Sequence, residues 1–541
     1  MPAMAAPPLP SRADGVYAGV EAAKGDRTMR GGHAAWRALD RARALNLGGA
    51  TRIGGDGITR RRLLAAMGAG ATLAALPSCL QPGPRRIAVV GGGLAGLTAL
   101  HRLRSRGFDA ILYEARGRPG GRTRSVHGVF AADYAFDEGG QLVNGDHADM
   151  IALARGLGLR LIDRRATGGK DEVQIGSAGR VDERALAEGL RVIAAQITAD
   201  ADRLDADHRT VGAEIDALSV AGYLDRHGLA SGDARDAIEA AIRTEYGAEP
   251  DQASALELLF NLPTVDGARV TRLSLSDERY LVEGGAGQIA QRLAARHAPA
   301  VRLNMRLAAI DLDRDGFVRL AFADGREARF DQAIIALPAP LIREVRIDGP
   351  LDARWQALLA EVDLGRNEKI IAGYDQARWR DAIGASGALW AAKGFSEAWD
   401  AASSARRAGD PAALCYFLGG DQVDQAGRTS TAAAAGRFDA MARTALPDLP
   451  APNGRIRRTH WCADPLSKGA YINFRPGQLS RFGGLLTLEG PEGPRPSRSG
   501  RLLFAGEWLS DAWPGYMNGA AQTGRIAADA AMAAVRTQRA A

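Results

Sequence analysis

The chain has few cysteines, and they follow no pattern that would crosslink it or bind a metal. Cys79, Cys415 and Cys462 are its three cysteines, and neither a Cys-x-x-Cys pair nor a closely spaced histidine pair accompanies them. Disulfide-stabilised domains and zinc modules need such repeated spacings. The sequence therefore excludes a disulfide framework and predicts no metal site.

A charge surplus and long apolar runs are also missing from the body of the chain. Residues 1–79 contain 11 Lys and Arg against 5 Asp and Glu, so the rest of the chain holds 58 residues of each sign. Nucleic-acid binding needs a basic face on the fold itself, which this balance does not predict. After Leu76 no apolar run reaches transmembrane length, and no internal repeat is evident. A length of 541 residues gives room for two or three domains.

Residues 1–80 have the features of a targeting segment. Arg60-Arg61 precedes an apolar run, Leu63–Leu76, that is too short to span a bilayer. This order resembles the bacterial twin-arginine export signal, which carries folded, cofactor-loaded proteins; a basic cap on an ordinary buried helix is the alternative. We therefore predict a periplasmic protein with the twin-arginine export machinery as a partner. Leu76-Pro77-Ser78-Cys79 also resembles a lipoprotein cleavage box, so a lipid anchor on Cys79 stays open, as does Met29 as the true start.

One short segment at the start of the body has the pattern of a dinucleotide-binding unit. An apolar strand at Ile87–Val90 leads into the turn GGGLAG, then a helix, then a second strand that ends at Glu114. In such a turn Gly91 permits the tight bend, Gly93 lets a pyrophosphate approach the backbone, and Gly96 lets helix and strand pack closely. The helix N-terminus offers free N–H groups to phosphates, and Glu114 is placed to accept hydrogen bonds from a ribose. The segment predicts a dinucleotide site and leaves FAD and NAD open.

The alternation of strands and helices occurs in separate stretches of the body. Between residues 182 and 245 the pattern is helical instead, with Leu186, Leu190, Ile193 and Ile197 on one face. We therefore predict an α/β fold in which a second domain is inserted into a discontinuous Rossmann-like domain. The cofactor domain is assigned to 85–150, 278–345 and 455–541, and a substrate-binding domain of mixed sheet plus helices to 151–277 and 346–454.

Four separated motifs together resemble one family. They are the glycine turn with Glu114; Gly120-Gly121-Arg122; Asp137-Glu138-Gly139-Gly140-Gln141; and Phe504-Ala505-Gly506-Glu507 followed by Trp513–Ala520. In this order, over about 85–535, they resemble the flavin-containing amine oxidases: monoamine oxidases, polyamine oxidases and L-amino acid oxidases. The resemblance favours FAD over NAD and implies a GR2-type FAD-binding domain.

The resemblance also implies which residues contact FAD. Glu114 would hold the adenosine ribose, the Leu307 backbone the adenine, and Glu507 the ribityl chain. The Met517 N–H would face the flavin pyrimidine oxygen, where negative charge develops on reduction. The complete implied set is Gly91, Gly93, Leu94, Ala95, Gly96, Glu114, Ala115, Arg116, Gly121, Arg122, Gly140, Gln141, Leu142, Leu307, Trp461, Gly506, Glu507, Tyr516, Met517 and Ala520.

The residues implied for catalysis are aromatic. In monoamine oxidases a tryptophan packs near the flavin, a cysteine attaches to it covalently, and a tyrosine follows. Here Trp461 and Tyr471 match, but Ala470 stands at the cysteine position, so the resemblance implies non-covalent FAD. Tyr471 and Tyr516 match the two aromatic walls that flank the substrate amine, which they can orient by their π faces while excluding water. Ordinary core tyrosines are the alternative interpretation.

One departure from the family concerns a lysine associated with oxygen reactivity. The family often places it after an Ala-x-Pro strand, where this chain has Glu344. Arg343 and Lys369 are the alternatives for its role. The electron acceptor, O2 or another carrier, is therefore left open.

A second departure concerns the substrate carboxylate. L-amino acid oxidases have an arginine just after the Gly-Gly loop, where this chain has Leu142. An unpaired carboxylate is costly to bury, which favours amines over amino acids unless Arg124 or Arg302 serves from elsewhere.

The resulting hypothesis is FAD-dependent oxidation of a neutral primary or secondary amine. Hydride would pass from the amine α-carbon to flavin N5, and the imine would hydrolyse to a carbonyl compound. An L-amino acid oxidase is the first alternative. A related FAD enzyme that acts on C–C bonds, such as a desaturase of isoprenoids, is a second. A non-catalytic flavin-binding partner of an exported complex is the alternative from a different class. The oligomeric state, including a homodimer, stays open.

Overall fold

The computed structural model describes residues 86–167, 171–260, 264–266, 269–271, 276–312, 316–385, 387–404, 409–490 and 493–540. The predicted export segment, with Arg60-Arg61, Met29 and Cys79, lies outside these residues. Within them, no helix combines the length and the apolar character that a membrane crossing requires.

The first sheet is built from distant parts of the chain. Its six strands lie in the order Val301–Arg302, Asp109–Tyr113, Arg86–Val90, Gln332–Ile335, Leu502–Phe504 and Ser497–Ser499. All neighbouring pairs are parallel except the last. The central strands are buried, as a parallel sheet covered on both faces requires. All three stretches assigned to the cofactor domain contribute strands to this sheet.

The glycine-turn helix, Leu94–Ser105, packs directly onto the end of the first strand. A Cβ atom at Gly96 would lie 1.9 Å from the carbonyl oxygen of Gly91, so only glycine permits this approach. The C-terminal helix, Met517–Ala540, packs against the glycine-turn helix. These contacts fix both helix N-termini at the same edge of the sheet.

The second sheet has seven strands and comes mainly from the predicted inserted domain. Their order is Ile456–Arg458, Asn367–Tyr374, Ala412–Gly419, Glu397–Asp400, Ala388–Ala391, Glu172–Gly176 and Gly179–Arg180. Its first strand belongs to the stretch assigned to the cofactor domain. Leu161–Asp163, from the stretch assigned to the substrate domain, pairs with Tyr280–Val282. Arg346–Asp348 and Asp363–Leu364, also assigned to the substrate domain, pair with Leu307–Leu312 and Ile472–Asn473 of the cofactor-domain stretches. Strand pairing thus joins segments assigned to different predicted domains at several places.

Residues 183–260, which follow the strand Gly179–Arg180 of the second sheet, are mainly helical. Its helices are Glu183–Ala206, Thr210–Asp216, Val220–Arg226, Asp233–Tyr246 and Ala255–Phe260. Leu186, Leu190, Ile193 and Ile197 are all buried in one core with the other helices. The helix Asp233–Tyr246 ends at Gly247 in the left-handed conformation, a common helix termination.

Smaller elements complete the molecule. Leu142–Val143 adds a third strand beside Tyr280–Val282. A four-stranded sheet has the order Glu327–Phe330, Val318–Phe322, Leu307–Leu312 and Arg346–Asp348. The remaining strands form two-stranded pairs: Ser125–His127 with Ala135–Asp137, Thr264–Asp266 with Arg269–Thr271, Asp363–Leu364 with Ile472–Asn473, and Leu488–Gly490 with Gly493–Arg495. The remaining helices are Ala148–Gly156, Gly287–Arg296, Ala339–Ile342, Ala353–Glu361, Trp379–Ile383, Gln422–Gly427, Thr431–Ala445 and Gln478–Phe482. The predicted α/β fold class, a parallel cofactor-type sheet with an inserted mixed sheet, is confirmed.

Candidate active site

A large cavity lies at the carboxyl ends of the parallel strands. Gly91, Glu114, Ala336 and Gly506 each follow a strand of the first sheet and line it. Residues of the second sheet close the opposite side. The empty space is about 1770 Å³ including its open mouth. Crevices at the carboxyl ends of open α/β sheets are where such folds bind ligands.

One end of the cavity carries the features of a dinucleotide site. Glu114 accepts hydrogen bonds from the backbone N–H groups of Gly92 at 2.6 Å and Arg116 at 2.7 Å. Burial raises the pKa of Glu114, and these two hydrogen bonds act against that rise. Gly93 caps the glycine-turn helix without a side chain, and no atom lies within 4 Å of the place a Cβ would occupy. A phosphate can therefore reach the helix N-terminus, so these residues fit the adenosine and pyrophosphate part of FAD.

An ion pair joins two residues of the cavity lining. Arg122 Nη1 lies 2.8 Å from Glu507 Oε1 and also donates to the Ala470 carbonyl oxygen. Glu507 is buried at the end of a strand of the first sheet. The pair therefore connects the Gly120-Gly121-Arg122 motif, the segment at Ala470 and the C-terminal motif, three parts of the predicted flavin site.

Lys369 is the lysine of the cavity wall. Its Nζ atom donates to the carbonyl oxygens of Asp137 at 3.0 Å and Gly139 at 2.8 Å, and it lies 5.5 Å from the ring centroid of Trp399. Lys369 extends from a buried strand of the second sheet into the site.

Glu344, the position at which the family lysine was expected, does not line the cavity. It forms ion pairs with Lys468 and with Arg306, and its side chain is partly exposed. Arg343 donates instead to the carbonyl oxygens of Leu359 and Val362. Position 344, to which the resemblance assigned the family lysine, therefore lies outside the cavity lining. Of the two alternatives, Arg343 and Lys369, only Lys369 lines the cavity.

The two predicted aromatic walls are both anchored at one helix end. The Tyr471 hydroxyl donates to the Thr244 carbonyl oxygen, and the Tyr516 hydroxyl donates to Glu245 Oε2 at 2.9 Å. Thr244 and Glu245 form the last turn of the helix Asp233–Tyr246. Burial, followed by the nearby Glu245 charge, raises the pKa of both tyrosines well above the usual value. Both residues therefore stay neutral phenols whose rings are fixed in place.

Carboxyl groups gather around this aromatic pair. Glu245, Glu278 and Glu397 line the cavity with the tyrosines. Glu278 is paired with Arg164 at 3.1 Å. Glu245 has accessible surface toward the cavity, yet surrounding protein desolvates it, and this burial raises its pKa to about 7. Sequence reasoning missed all three; for Glu245 the available signal was an acid between the buried Ile242 and Tyr246 of one helix.

His147 supports Tyr516 from behind. Its ring lies edge-on to the Tyr516 ring at a centroid distance of 5.2 Å. Its Nδ1 atom accepts a hydrogen bond from the Asn144 backbone N–H at 3.0 Å. Burial lowers the pKa of His147 to about 3, so the imidazole is neutral. No sequence motif indicated this residue.

The structure brings together almost all of the predicted site residues. Gly96 and Leu307 are the exceptions: Gly96 serves helix packing, and Leu307 is buried at the start of the strand Leu307–Leu312 in the four-stranded sheet. Arg124 and Arg302 also lie outside the cavity lining. The predicted residues that line the cavity are Gly91, Gly93, Leu94, Ala95, Glu114, Ala115, Arg116, Gly121, Arg122, Gly140, Gln141, Leu142, Trp461, Tyr471, Gly506, Glu507, Tyr516, Met517 and Ala520.

Comparison with known proteins agrees with this geometry. The family model of the flavin containing amine oxidoreductases matches residues 94–532. The chain belongs to this family. It is 24% identical to a probable flavin-containing monoamine oxidase A from Dictyostelium discoideum over 465 residues, 81% of this chain and 95% of the relative. It is 25% identical to an L-amino acid dehydrogenase from Synechocystis sp. over 482 residues, 82% of this chain and 93% of the relative.

Solved structures of amine oxidases share the fold. Cyclohexylamine oxidase from Brevibacterium oxydans aligns with a TM-score of 0.70 at 24% identity. The alignment covers 84% of this chain and 100% of the oxidase chain. As a member of the flavin-containing amine oxidoreductase family, this protein uses FAD as its cofactor. Neither Cys415 nor Cys462 lines the cavity, and Ala470 stands at the covalent position of the monoamine oxidases. The cofactor is accordingly held without a covalent bond.

Proposed function

We propose that this protein oxidises small amines to carbonyl compounds. One amine, one water and a two-electron acceptor give a carbonyl compound, ammonia or a smaller amine, and the reduced acceptor. The observation that carries the proposal is the aromatic pair, because Tyr471 and Tyr516 are both fixed by their hydroxyls and face one cavity with the cofactor residues.

The protein residues orient and enclose the reactants. Bound FAD supplies the acceptor for the hydride of the amine α-carbon. Tyr471 and Tyr516 would hold the amine between their ring faces and exclude water. The amine and the flavin would then react from a fixed relative orientation, which lowers the entropic cost of the reaction. Met517 begins the C-terminal helix and lines the cavity, so its backbone N–H would present the positive end of the helix dipole to bound flavin.

The charges of the cavity favour an amine over an amino acid. Among the described residues that line it, the cationic side chains are Arg116, Arg122 and Lys369. The two arginines are paired with Asp464 and Glu507, and Lys369 is bound to two carbonyl oxygens. A substrate carboxylate would therefore have to displace an existing partner, and it would meet the carboxyl groups around the tyrosines.

Anaerobic flavin reduction tests the proposal. The purified FAD-bound protein is mixed with matched pairs, each an amine and the amino acid from which it derives by decarboxylation, and the flavin absorbance is followed. We expect bleaching by amines, and at least tenfold slower bleaching in the Tyr471→Leu/Tyr516→Leu protein with its FAD content retained. Bleaching by the amino acids alone would establish the alternative, an L-amino acid oxidoreductase like the Synechocystis relative. No bleaching by either group would leave a flavin-binding protein without this activity.

We propose O2 as the electron acceptor. The support is Lys369, a buried ammonium group beside the Gly139 carbonyl oxygen, because a fixed cation favours transfer of negative charge to O2. The Lys369→Met substitution should slow reoxidation of the reduced flavin by O2 more than it slows reduction by amine. Slow reoxidation of the unmodified protein by O2, with rapid reoxidation by a quinone, would show a different acceptor.

We propose that the protein is exported to the periplasm by the twin-arginine route. The support is Arg60-Arg61 before an apolar run, together with a cofactor site assembled from distant segments, which suits export after folding. Substituting both arginines by lysine should retain the protein in the cytoplasm of a bacterial host. A Cys79→Ser variant, compared by membrane fractionation, tests the lipid anchor.

A further inference from the structure

The far ends of the two tyrosine rings converge on one turn of helix. A tyrosine hydroxyl stands at the end of the ring opposite the backbone, and both hydroxyls bond to the adjacent residues Thr244 and Glu245. The Tyr516 backbone lies next to Met517, the cavity residue whose backbone N–H would face bound flavin. The Glu245 carboxyl group is therefore separated from the flavin side of the cavity, at Met517, by the length of a tyrosine side chain.

Glu245 has no cationic partner of its own in the described part of the chain. Glu278 faces it and is already paired with Arg164, and the other groups acting on its charge are Glu257 and the Tyr516 hydroxyl. A buried carboxyl group without a cation is costly to ionise. A cation brought by a ligand would remove that cost.

The separation between Glu245 and the flavin side of the cavity determines which nitrogen of a substrate Glu245 can bind. The nitrogen that loses electrons must be uncharged, because its lone pair forms the new C=N bond. A carboxylate next to that nitrogen would hold its proton and slow the reaction. A carboxylate at the far end of the aromatic walls suits an ammonium group that does not react.

We infer that Glu245 binds a second ammonium group of the substrate, so that the preferred substrates are diamines or longer polyamines. This inference rests on the proposed amine oxidation and specifies its substrate class. Glu245 is a specificity residue here: the carboxylate fixes the distal nitrogen, and the chain between the two nitrogens places the reacting carbon between Tyr471 and Tyr516.

The test compares pentylamine with 1,5-diaminopentane in anaerobic flavin reduction and in steady-state turnover. We expect the unmodified protein to prefer the diamine in kcat/KM at least tenfold. Glu245→Gln should lower this preference about 10- to 100-fold, mainly through KM, because a hydrogen-bonded charge is replaced by a neutral amide. Glu245→Asp, which keeps the charge, should restore part of it. Glu361→Gln, at an exposed glutamate paired with Arg481, is the matched control and should leave the preference unchanged.

The pH dependence separates a binding role from a purely structural one. Because burial raises the pKa of Glu245 to about 7, the carboxyl group is neutral below that pH and charged above it. The ratio of diamine to monoamine kcat/KM should rise through about pH 7 in the unmodified protein and stay flat in Glu245→Gln.

Three results would contradict the inference in distinguishable ways. Equal losses for both substrates in Glu245→Gln, with FAD content and melting temperature retained, would show that Glu245 only holds Tyr516. Reduction by pentylamine without any preference for the diamine would overturn the substrate class while leaving amine oxidation standing. Reduction by neither amine would remove the proposed function and this inference with it.

Discussion

His147 is held as a neutral ring beside a catalytic candidate. Its Nδ1 atom accepts the Asn144 N–H, so the ring proton resides on Nε2. The imidazole stands edge-on to Tyr516 and contributes shape rather than charge. A charged imidazolium at this place would stand behind the ring that is proposed to attract the substrate cation.

The neutral state of His147 makes stability depend on pH. Burial lowers its pKa to about 3, whereas the unfolded chain titrates near 6.5, so between these values the unfolded state binds the extra proton and stability falls as pH falls. At pH 5 this site should cost about 2 kcal/mol relative to pH 8. We expect urea unfolding of His147→Phe to show a pH 5 to pH 8 difference smaller by that amount. Other histidines titrate in both proteins and cancel in the comparison; identical pH dependence would mean that His147 is charged in the fold.

At the scale of elements, the helix Asp233–Tyr246 acts as the support of the aromatic pair. Its last turn is docked on the second sheet, where Asn367 Nδ2 donates to the Arg243 carbonyl oxygen at 2.9 Å and the Arg366 N–H donates to the Gly247 carbonyl oxygen at 2.7 Å. The position of Thr244 and Glu245 in the cavity therefore depends on how closely the helix end approaches the strand Asn367–Tyr374 of the second sheet.

Gly247→Ala tests this dependence. The residue has φ +58°, and a Cβ would lie 2.0 Å from Asn367 Oδ1 and 2.5 Å from the Arg366 nitrogen. We expect a lower melting temperature and at least tenfold slower flavin reduction by amine, because the helix end must move. Gly158→Ala is the matched control: it also has positive φ, at +68°, but nothing lies within 4 Å. It should show only the conformational cost of about 1–2 kcal/mol. Equal effects of the two substitutions on flavin reduction would exclude a docking role for Gly247.

At the scale of the whole molecule, one buried ion cluster joins segments that are far apart in the chain. Arg525 of the C-terminal helix lies 2.5 Å from Asp149, in the helix Ala148–Gly156, and 2.8 Å from Glu489. Asp149 is only 3% exposed, so it depends on this arginine for its charge balance.

Removing the arginine should destabilise the whole fold. Arg525→Met leaves Asp149 buried without a partner, and we expect a loss of about 3–5 kcal/mol in the free energy of unfolding. Arg326→Met, which breaks an exposed pair with Asp324, should change it by less than about 1 kcal/mol. Chemical denaturation of both variants measures the difference. A loss at Arg525 no larger than at Arg326 would show that water reaches Asp149.

How well the sequence predicted the site depends on where its residues lie in the chain. The glycine turn, Glu114 and Glu507 could be predicted because cofactor binding needs them at fixed places beside a strand end. Lys369, by contrast, reaches the cavity only through the pairing of the second sheet, so a linear comparison placed its role at residue 344. Glu245 and His147 enter the site through helix packing. For Glu245 the sequence shows only an acid between two apolar residues of one helix, which does not indicate what the helix packs against, and for His147 it shows no local signal. The α/β class followed from periodicity, whereas the strands at the domain boundaries depend on long-range pairing.

The order of strands in the first sheet sets the time at which this protein can acquire its cofactor. Arg86–Val90 emerges early in synthesis, but its neighbour Gln332–Ile335 follows some 245 residues later, and Leu502–Phe504 comes near the end. Pairings of such long sequence separation form slowly. A nascent chain on the ribosome therefore carries the glycine turn without Glu507 or Met517, and FAD loading has to await nearly complete translation. A truncated product would expose the edges of an unfinished sheet, and its inability to retain flavin would distinguish it from the finished protein.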